Sequence, residues 1–143
     1  MRVAFATTDG ISVNEHFGRA GMFSVFEFSK DEYHLLGTRK FAEGRDTEIE
    51  ETRGLGAEHE DRVQKKVDAL ADCRIIYMTE VGGPSAARLI KKGVMPLKVA
   101  DGTPVLALME KLIEAARNEK SPIWLRKALE AGGQKKTNDQ GGV

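Results

Sequence analysis

His16 and Arg19 share one loop, and together they are the side chains in this sequence best suited to hold a soft metal or an anion. The loop follows an apolar run and reads Thr7-Thr8-Asp9-Gly10-Ile11-Ser12-Val13-Asn14-Glu15-His16-Phe17-Gly18-Arg19. Asp9-Gly10 is turn chemistry, because glycine tolerates positive φ and aspartate bonds the local backbone. Gly18 allows a second change of direction at no steric cost. Loops that leave a strand are where binding groups tend to be displayed. Read by itself, a histidine in such a loop is a metal ligand, a proton carrier, or only a partner of the nearby backbone.

A second segment, Met78-Thr79-Glu80-Val81-Gly82-Gly83-Pro84-Ser85, places Gly83 at the start of a helix. The free N–H groups and the dipole there favour an anion, and Ser85 adds a hydroxyl donor. The alternative is that the glycines make a tight turn and let helix and sheet pack closely, since no complete dinucleotide or phosphate-loop motif surrounds them. Arg88, Lys91 and Lys92 follow on the same helix, where a solvated basic face is their ordinary meaning. His59 opens a helical stripe continued by Val63 and Val67, so it is either a packed histidine or a ligand. Cys73 begins an inner strand, as a small buried hydrophobe or a thiolate ligand. His34 lies in a hairpin remote from both segments.

Elements that position these residues follow from the apolar periodicity. Residues 2–8 read as a buried strand, and 22–28 and 33–41 as an antiparallel hairpin across a short polar turn. Residues 42–56 form a charged, glycine-containing stretch with few apolar anchors, a long loop of the kind that is usually functional. A helix begins at Glu58, with Val63, Val67 and Leu70 on one face. A strand over 73–78 leads into a helix from Gly82-Gly83-Pro84 that ends at Gly93. Residues 94–99 form a further strand, and its Pro96 argues for an edge position. The last long helix starts with Thr103 as N-cap and Pro104 in its first turn. The order predicts an α/β fold: a single domain with a mixed five-stranded sheet flanked by helices. Its boundaries fall at 1–118 for the domain, 119–131 for a C-terminal helical extension, and 132–143 for a disordered tail rich in Gly, Lys, Asn and Gln.

Composition narrows the function. At 143 residues, 41% hydrophobic and 31% charged, the chain suits one soluble globular domain. Lys plus Arg and Asp plus Glu both total 22, a balance that argues against nucleic acid as a partner. No apolar run approaches the roughly 20 residues of a membrane span, and the N-terminus lacks a secretory leader. The single Cys73 cannot pair within the chain, which fits a reducing cytoplasm. It also cannot supply a cysteine-rich zinc or iron–sulfur site, so any metal chemistry must use few protein ligands.

In open α/β sheets, ligands collect outside the carboxyl ends of parallel strands, where strand order switches. The loop of His16 and the segment ending at Ser85 meet there if the first strand lies beside the fourth. Hydrolytic alternatives lack their parts. Asp9 and Glu80 can approach one another, but no further carboxylate pair, serine elbow, Walker loop or paired-histidine motif is present. Binding, not catalysis, is the reading.

Taken together, Phe5-Ala6-Thr7-Thr8-Asp9-Gly10, Asn14-Glu15-His16-Phe17-Gly18-Arg19, Val81-Gly82-Gly83-Pro84-Ser85-Ala86 and Lys92-Gly93-Val94-Met95-Pro96-Leu97-Lys98-Val99 resemble the dinitrogenase iron–molybdenum cofactor biosynthesis family over about residues 2–116. Trp124-Leu125-Arg126-Lys127-Ala128-Leu129 resembles the tail of its cofactor-carrier members. The resemblance implies a ribonuclease H-like architecture without that enzyme's activity. It further implies a cytoplasmic carrier of an iron–sulfur precursor of the iron–molybdenum cofactor, passed between the cluster-building enzyme and the scaffold complex of nitrogenase cofactor assembly. The histidine of the His-Phe-Gly motif is then the cluster ligand, here His16. Arg19, Asn14, Gly83 and Ser85 would surround the cargo, Asn14 or Glu15 would set the tautomer of His16, and His59 or Cys73 could give a second ligand. The carrier would be a monomer or a dimer bridged by the cluster. The competing class is a regulatory or protein-interaction module that never holds a cluster.

Overall fold

Val3, Ala4, Phe5 and Ala6 are wholly buried, so the first strand needs cover on both faces. The computed structural model describes residues 1–29, 32–41 and 56–117, with the side chains of 56–61 excepted. In chain order the elements are β1 (Arg2–Ala6), β2 (Ser12–Val13), β3 (Met22–Phe28), β4 (Tyr33–Lys40), α1 (Gly56–Ala69), β5 (Ile75–Met78), α2 (Gly83–Lys91), β6 (Met95–Lys98), β7 (Thr103–Pro104) and α3 (Val105–Arg117). The five-stranded sheet runs β4-β3-β1-β5-β6 with β1 at its centre. β1 pairs antiparallel with β3, and β3 with β4; β1 pairs parallel with β5, and β5 with β6. The mixed sheet, its hairpin and the adjacency of the first and fourth long strands match the expectation from sequence. Pro96 lies on the edge strand β6, where its missing N–H costs the ladder nothing.

Alternation along β1 sorts the core into two layers. Val3 and Phe5 face a cluster with Phe26, Ile75 and Tyr77 that α3 covers through Leu108, Met109 and Leu112. Phe5 stacks on Tyr77 at 5.2 Å and meets the edge of Phe26 at 5.6 Å. Ala4 and Ala6 face the other layer, with Phe17, Phe23, Ile76 and Met78 under Val67 and Leu70 of α1 and Leu89 of α2. Each large apolar side chain buried in these layers contributes about 1.5–3 kcal/mol, far more than the tenths per residue of helix propensity, so packing decides where the helices lie.

One boundary differs from the sequence reading. Thr103 and Pro104 do not open the last helix; they form β7, paired antiparallel with β2 in a separate two-stranded sheet. Gly102 turns at φ +88°, and the Thr103 hydroxyl donates back to the Ala100 carbonyl at 2.5 Å instead of capping a helix. α3 begins at Val105, whose N–H donates to the Ile11 carbonyl at 2.8 Å, so the loop before β2 satisfies this helix end. Of the polar loop read over 42–56, Gly56 already opens α1 and residues 42–55 lie outside the described residues, as do the helical extension at 119–131 and the tail at 132–143.

Candidate functional site

The loop leaving β1 is tied by its own side chains. Thr7 is fully buried, and its hydroxyl donates to the Asp9 carboxylate at 3.0 Å while accepting the N–H groups of Asp9 (3.2 Å) and Gly10 (2.9 Å). The same carboxylate oxygen accepts the N–H groups of Ile11 (2.8 Å) and Ser12 (3.1 Å). Those two backbone donors, Ile11 first, hold the Asp9 carboxyl below its ordinary range. Gly10 takes φ +76°, the left-handed conformation that Asp-Gly predicts. Further on, the Asn14 side chain accepts the Thr8 N–H at 3.0 Å and donates to the Thr8 hydroxyl at 2.8 Å.

The chain then runs alongside the continuation of β5. The Thr79 N–H donates to the Glu15 carbonyl at 3.0 Å, the Phe17 N–H donates to the Glu80 carbonyl at 2.8 Å, and His16 and Glu80 form a parallel bridge. Phe17 is fully buried in the layer below α1, which anchors the loop from beneath. The His16 carbonyl accepts the N–H groups of Arg19 (3.2 Å) and Ala20 (2.9 Å), so residues 16–20 make one tight turn. The backbone of His16 is thereby held on both sides while its side chain is exposed to solvent.

Beneath that turn lies a residue that sequence reading passed over. Lys66 of α1 is buried, and its ammonium donates to the carbonyls of Phe17 (3.2 Å), Gly18 (3.2 Å) and Ala20 (3.0 Å). It also lies 5.6–6.0 Å from the ring centres of Phe17, Phe23 and Phe41. A signal existed: Lys66 falls between Val63 and Leu70, inside the apolar stripe of α1, where a charge is out of place.

Beyond Glu80 the chain enters α2 through Gly82, whose extended backbone (φ −71°, ψ 153°) begins the helix with no side-chain cap. Gly82, Gly83 and Pro84 are exposed and Ser85 is half-buried, so the helix start faces solvent. Lys98, the last residue of β6, reaches Glu80 at 3.5 Å across the same sheet end. Both side chains are exposed, so the pair contributes little stability, but it places a cation and a carboxylate on the rim.

The structure therefore joins the two segments that sequence reading set against one another. His16 and Arg19 are displayed on a turn bonded directly to Glu80, and Gly83 and Ser85 follow at the α2 start. Asn14 shares the loop, but its amide bonds Thr8 and braces the loop, in place of the expected bond to His16. Cys73 does not join them. It precedes β5 at the opposite end of the sheet and is only 2% exposed; burial, reinforced by Asp72, pushes its thiol up to about 12. A ligand role for Cys73 at this site is thus corrected by topology. His59 falls within α1, and its side chain is outside the described residues. Among the described residues, no group of three His, Cys, Asp or Glu side chains gathers to enclose a metal ion. Nor is any helix among them long and apolar enough to cross a membrane.

Comparison with known proteins gives this arrangement a family. The model of the dinitrogenase iron-molybdenum cofactor family matches residues 1–115. Protein NifX of Herbaspirillum seropedicae is 35% identical over 138 residues, covering 96% of this chain and 88% of that protein. Protein NifX of Rhodobacter capsulatus is 33% identical over 129 residues, covering 90% of this chain and 77% of that protein. Among solved structures, PH0822 shares the fold at a TM-score of 0.51 with 16% identity, covering 80% of this chain and 91% of that one. From its first strand through its last described helix, the chain belongs to the dinitrogenase iron-molybdenum cofactor family, whose context is iron–molybdenum cofactor biosynthesis in nitrogen fixation.

Proposed function

We propose that this protein is a non-enzymatic carrier that binds an iron–sulfur precursor of the iron–molybdenum cofactor through His16 and hands it on during cofactor assembly. The observation that carries the reading is the exposed side chain of His16 on a backbone pinned to Glu80. A preassembled cluster brings its own sulfides, so a carrier needs to supply only an open ligand and complementary charge. A neutral imidazole nitrogen is such a ligand. Arg19 and the uncapped start of α2 at Gly83 and Ser85 supply the positive character suited to an anionic cluster, while Lys98 offsets the Glu80 carboxylate beside them. Few ligands also suit a molecule that must release what it holds. The role places the protein in the cytoplasm beside the enzyme that builds the precursor and the scaffold complex that receives it. The ribonuclease H-like architecture belongs to the same reading, and it serves here as a display platform.

The test uses the full chain under anaerobic conditions, loaded with an iron–sulfur cluster assembled from ferrous iron and sulfide. Wild type is expected to retain visible charge-transfer absorbance through gel filtration, and His16→Ala is expected to lose it. Equal retention by His16→Ala removes His16 from the role. A wild-type chain that holds no cluster, yet co-purifies with an assembly protein, would favour an interaction module.

A further inference from the structure

We infer that Lys66 is the positioning residue of the His16 turn, a buried cation that fixes where the turn presents His16 and Arg19. An ammonium has three N–H donors, and three carbonyls from one turn, those of Phe17, Gly18 and Ala20, meet it at 3.0–3.2 Å. Taking a charge out of water is costly unless its donors are matched, so these three bonds favour the shape of the turn that brings the carbonyls onto the ammonium. The faces of Phe17, Phe23 and Phe41 around the ammonium add attraction and keep water away.

The turn needs this support. Its internal bonds are the two N–H groups of Arg19 and Ala20 converging on the one carbonyl of His16, and Gly18 inside it carries no side chain to pack. The carbonyls gathered on Lys66 run from Phe17, next to His16, to Ala20 at the other end, so one ammonium spans the whole turn. Phe17 and Lys66 therefore clamp the turn from below, while the backbone bonds to Thr79 and Glu80 fix its entry. Lys66 acts on any cargo only through this geometry, and that consequence rests on the carrier reading.

Hydrogen exchange in the unloaded protein tests the inference without reference to cargo. In Lys66→Met, which keeps the length and apolar stem, exchange at the amides of Arg19 and Ala20 is expected to quicken by about tenfold or more. That factor corresponds to ~1.4 kcal/mol. Amides of β1 and β5 should keep their protection, and the imidazole resonances of His16 should shift. Leu112→Ala, a core truncation under α3 on the opposite face of the sheet, lowers global stability and is expected to leave local opening at Arg19 and Ala20 unchanged. If Lys66→Met does not fold, Lys66→Arg replaces it: the planar guanidinium keeps the charge but cannot match three converging carbonyls, so a smaller acceleration at the same amides is expected. Wild-type exchange at Arg19 and Ala20 in a folded Lys66 variant overturns the inference, as does an equal acceleration in Leu112→Ala. In the cluster assay, Lys66→Met is expected to retain about tenfold less cluster than wild type. Loss of retention in His16→Ala with full retention in Lys66→Met would overturn the positioning role and leave the carrier reading standing.

Discussion

Asp72 is the residue whose removal should give the most informative change in stability. It lies between α1 and β5, and its carboxylate accepts two bonds from the Arg39 guanidinium at 2.6 and 2.8 Å and one from Arg2 at 2.7 Å. Arg39 also donates to the Ala69 carbonyl at 2.8 Å, so this one carboxylate links β4, β1 and the end of α1. Hydrogen bonds between charged groups are each worth about 1.5–3 kcal/mol when well shielded. The side chains of Asp72, Arg39 and Arg2 are 37%, 30% and 43% exposed, so solvent screening removes most of that. The net expectation for Asp72→Asn is about 1–2 kcal/mol at pH 7 and low salt, with the bidentate Arg39 contact as the main part.

The pH dependence has a definite sign. Bonding to Arg39, and then to Arg2, holds the folded carboxyl well below its ordinary range, so folding favours the ionised form. The stabilisation is complete above the unfolded aspartate range, near pH 4. It is lost as pH falls through the lower folded value. Urea unfolding of wild type and Asp72→Asn at pH 7 should show a shifted midpoint with an unchanged slope, and the difference should shrink as the pH is lowered from about 4 to 2. Raising the salt to about 1 M should also reduce it. A stability difference that does not change between pH 7 and pH 2 would refute the argument, and so would an Asn variant as stable as wild type at pH 7.

Two further outcomes follow from buried groups. Thr7→Val keeps the shape but leaves the N–H groups of Asp9 and Gly10 without their shared acceptor, so a loss of about 1–3 kcal/mol is expected by thermal unfolding, with faster exchange at those two amides. Cys73, buried and pushed up to about 12, should resist a disulfide reagent such as Ellman's reagent at pH 8 in the folded protein and react in full once urea unfolds it; rapid labelling of the native chain would contradict its burial.

Much of the fold was legible because burial imposes a period. The aromatic-rich run of 22–28 matches β3 to the residue, and Pro96 correctly marks an edge. The two-residue strands β2 and β7 escaped, since two residues carry no period and Thr-Pro is also good helix-start chemistry. For the site, the switch-point rule brought the loop of His16 to the segment after β5, and the structure makes that meeting a bridge between His16 and Glu80. What stayed hidden depends on which partner a polar side chain finds once the chain is folded. Asn14 bonding Thr8 and Lys66 reaching carbonyls 46–49 residues away are facts of three-dimensional packing that residue type alone does not encode.

The bonds joining the His16 loop to the end of β5 run from Thr79 N–H to the Glu15 carbonyl and from Phe17 N–H to the Glu80 carbonyl. Every donor and acceptor in them belongs to the main chain. The side chains at 15, 16 and 80 can therefore be exchanged without undoing the attachment. Such a platform is free to diversify: descendants of one backbone can alter what they hold by changing a few exposed residues, while the buried Phe17 and Lys66 keep the mount in register.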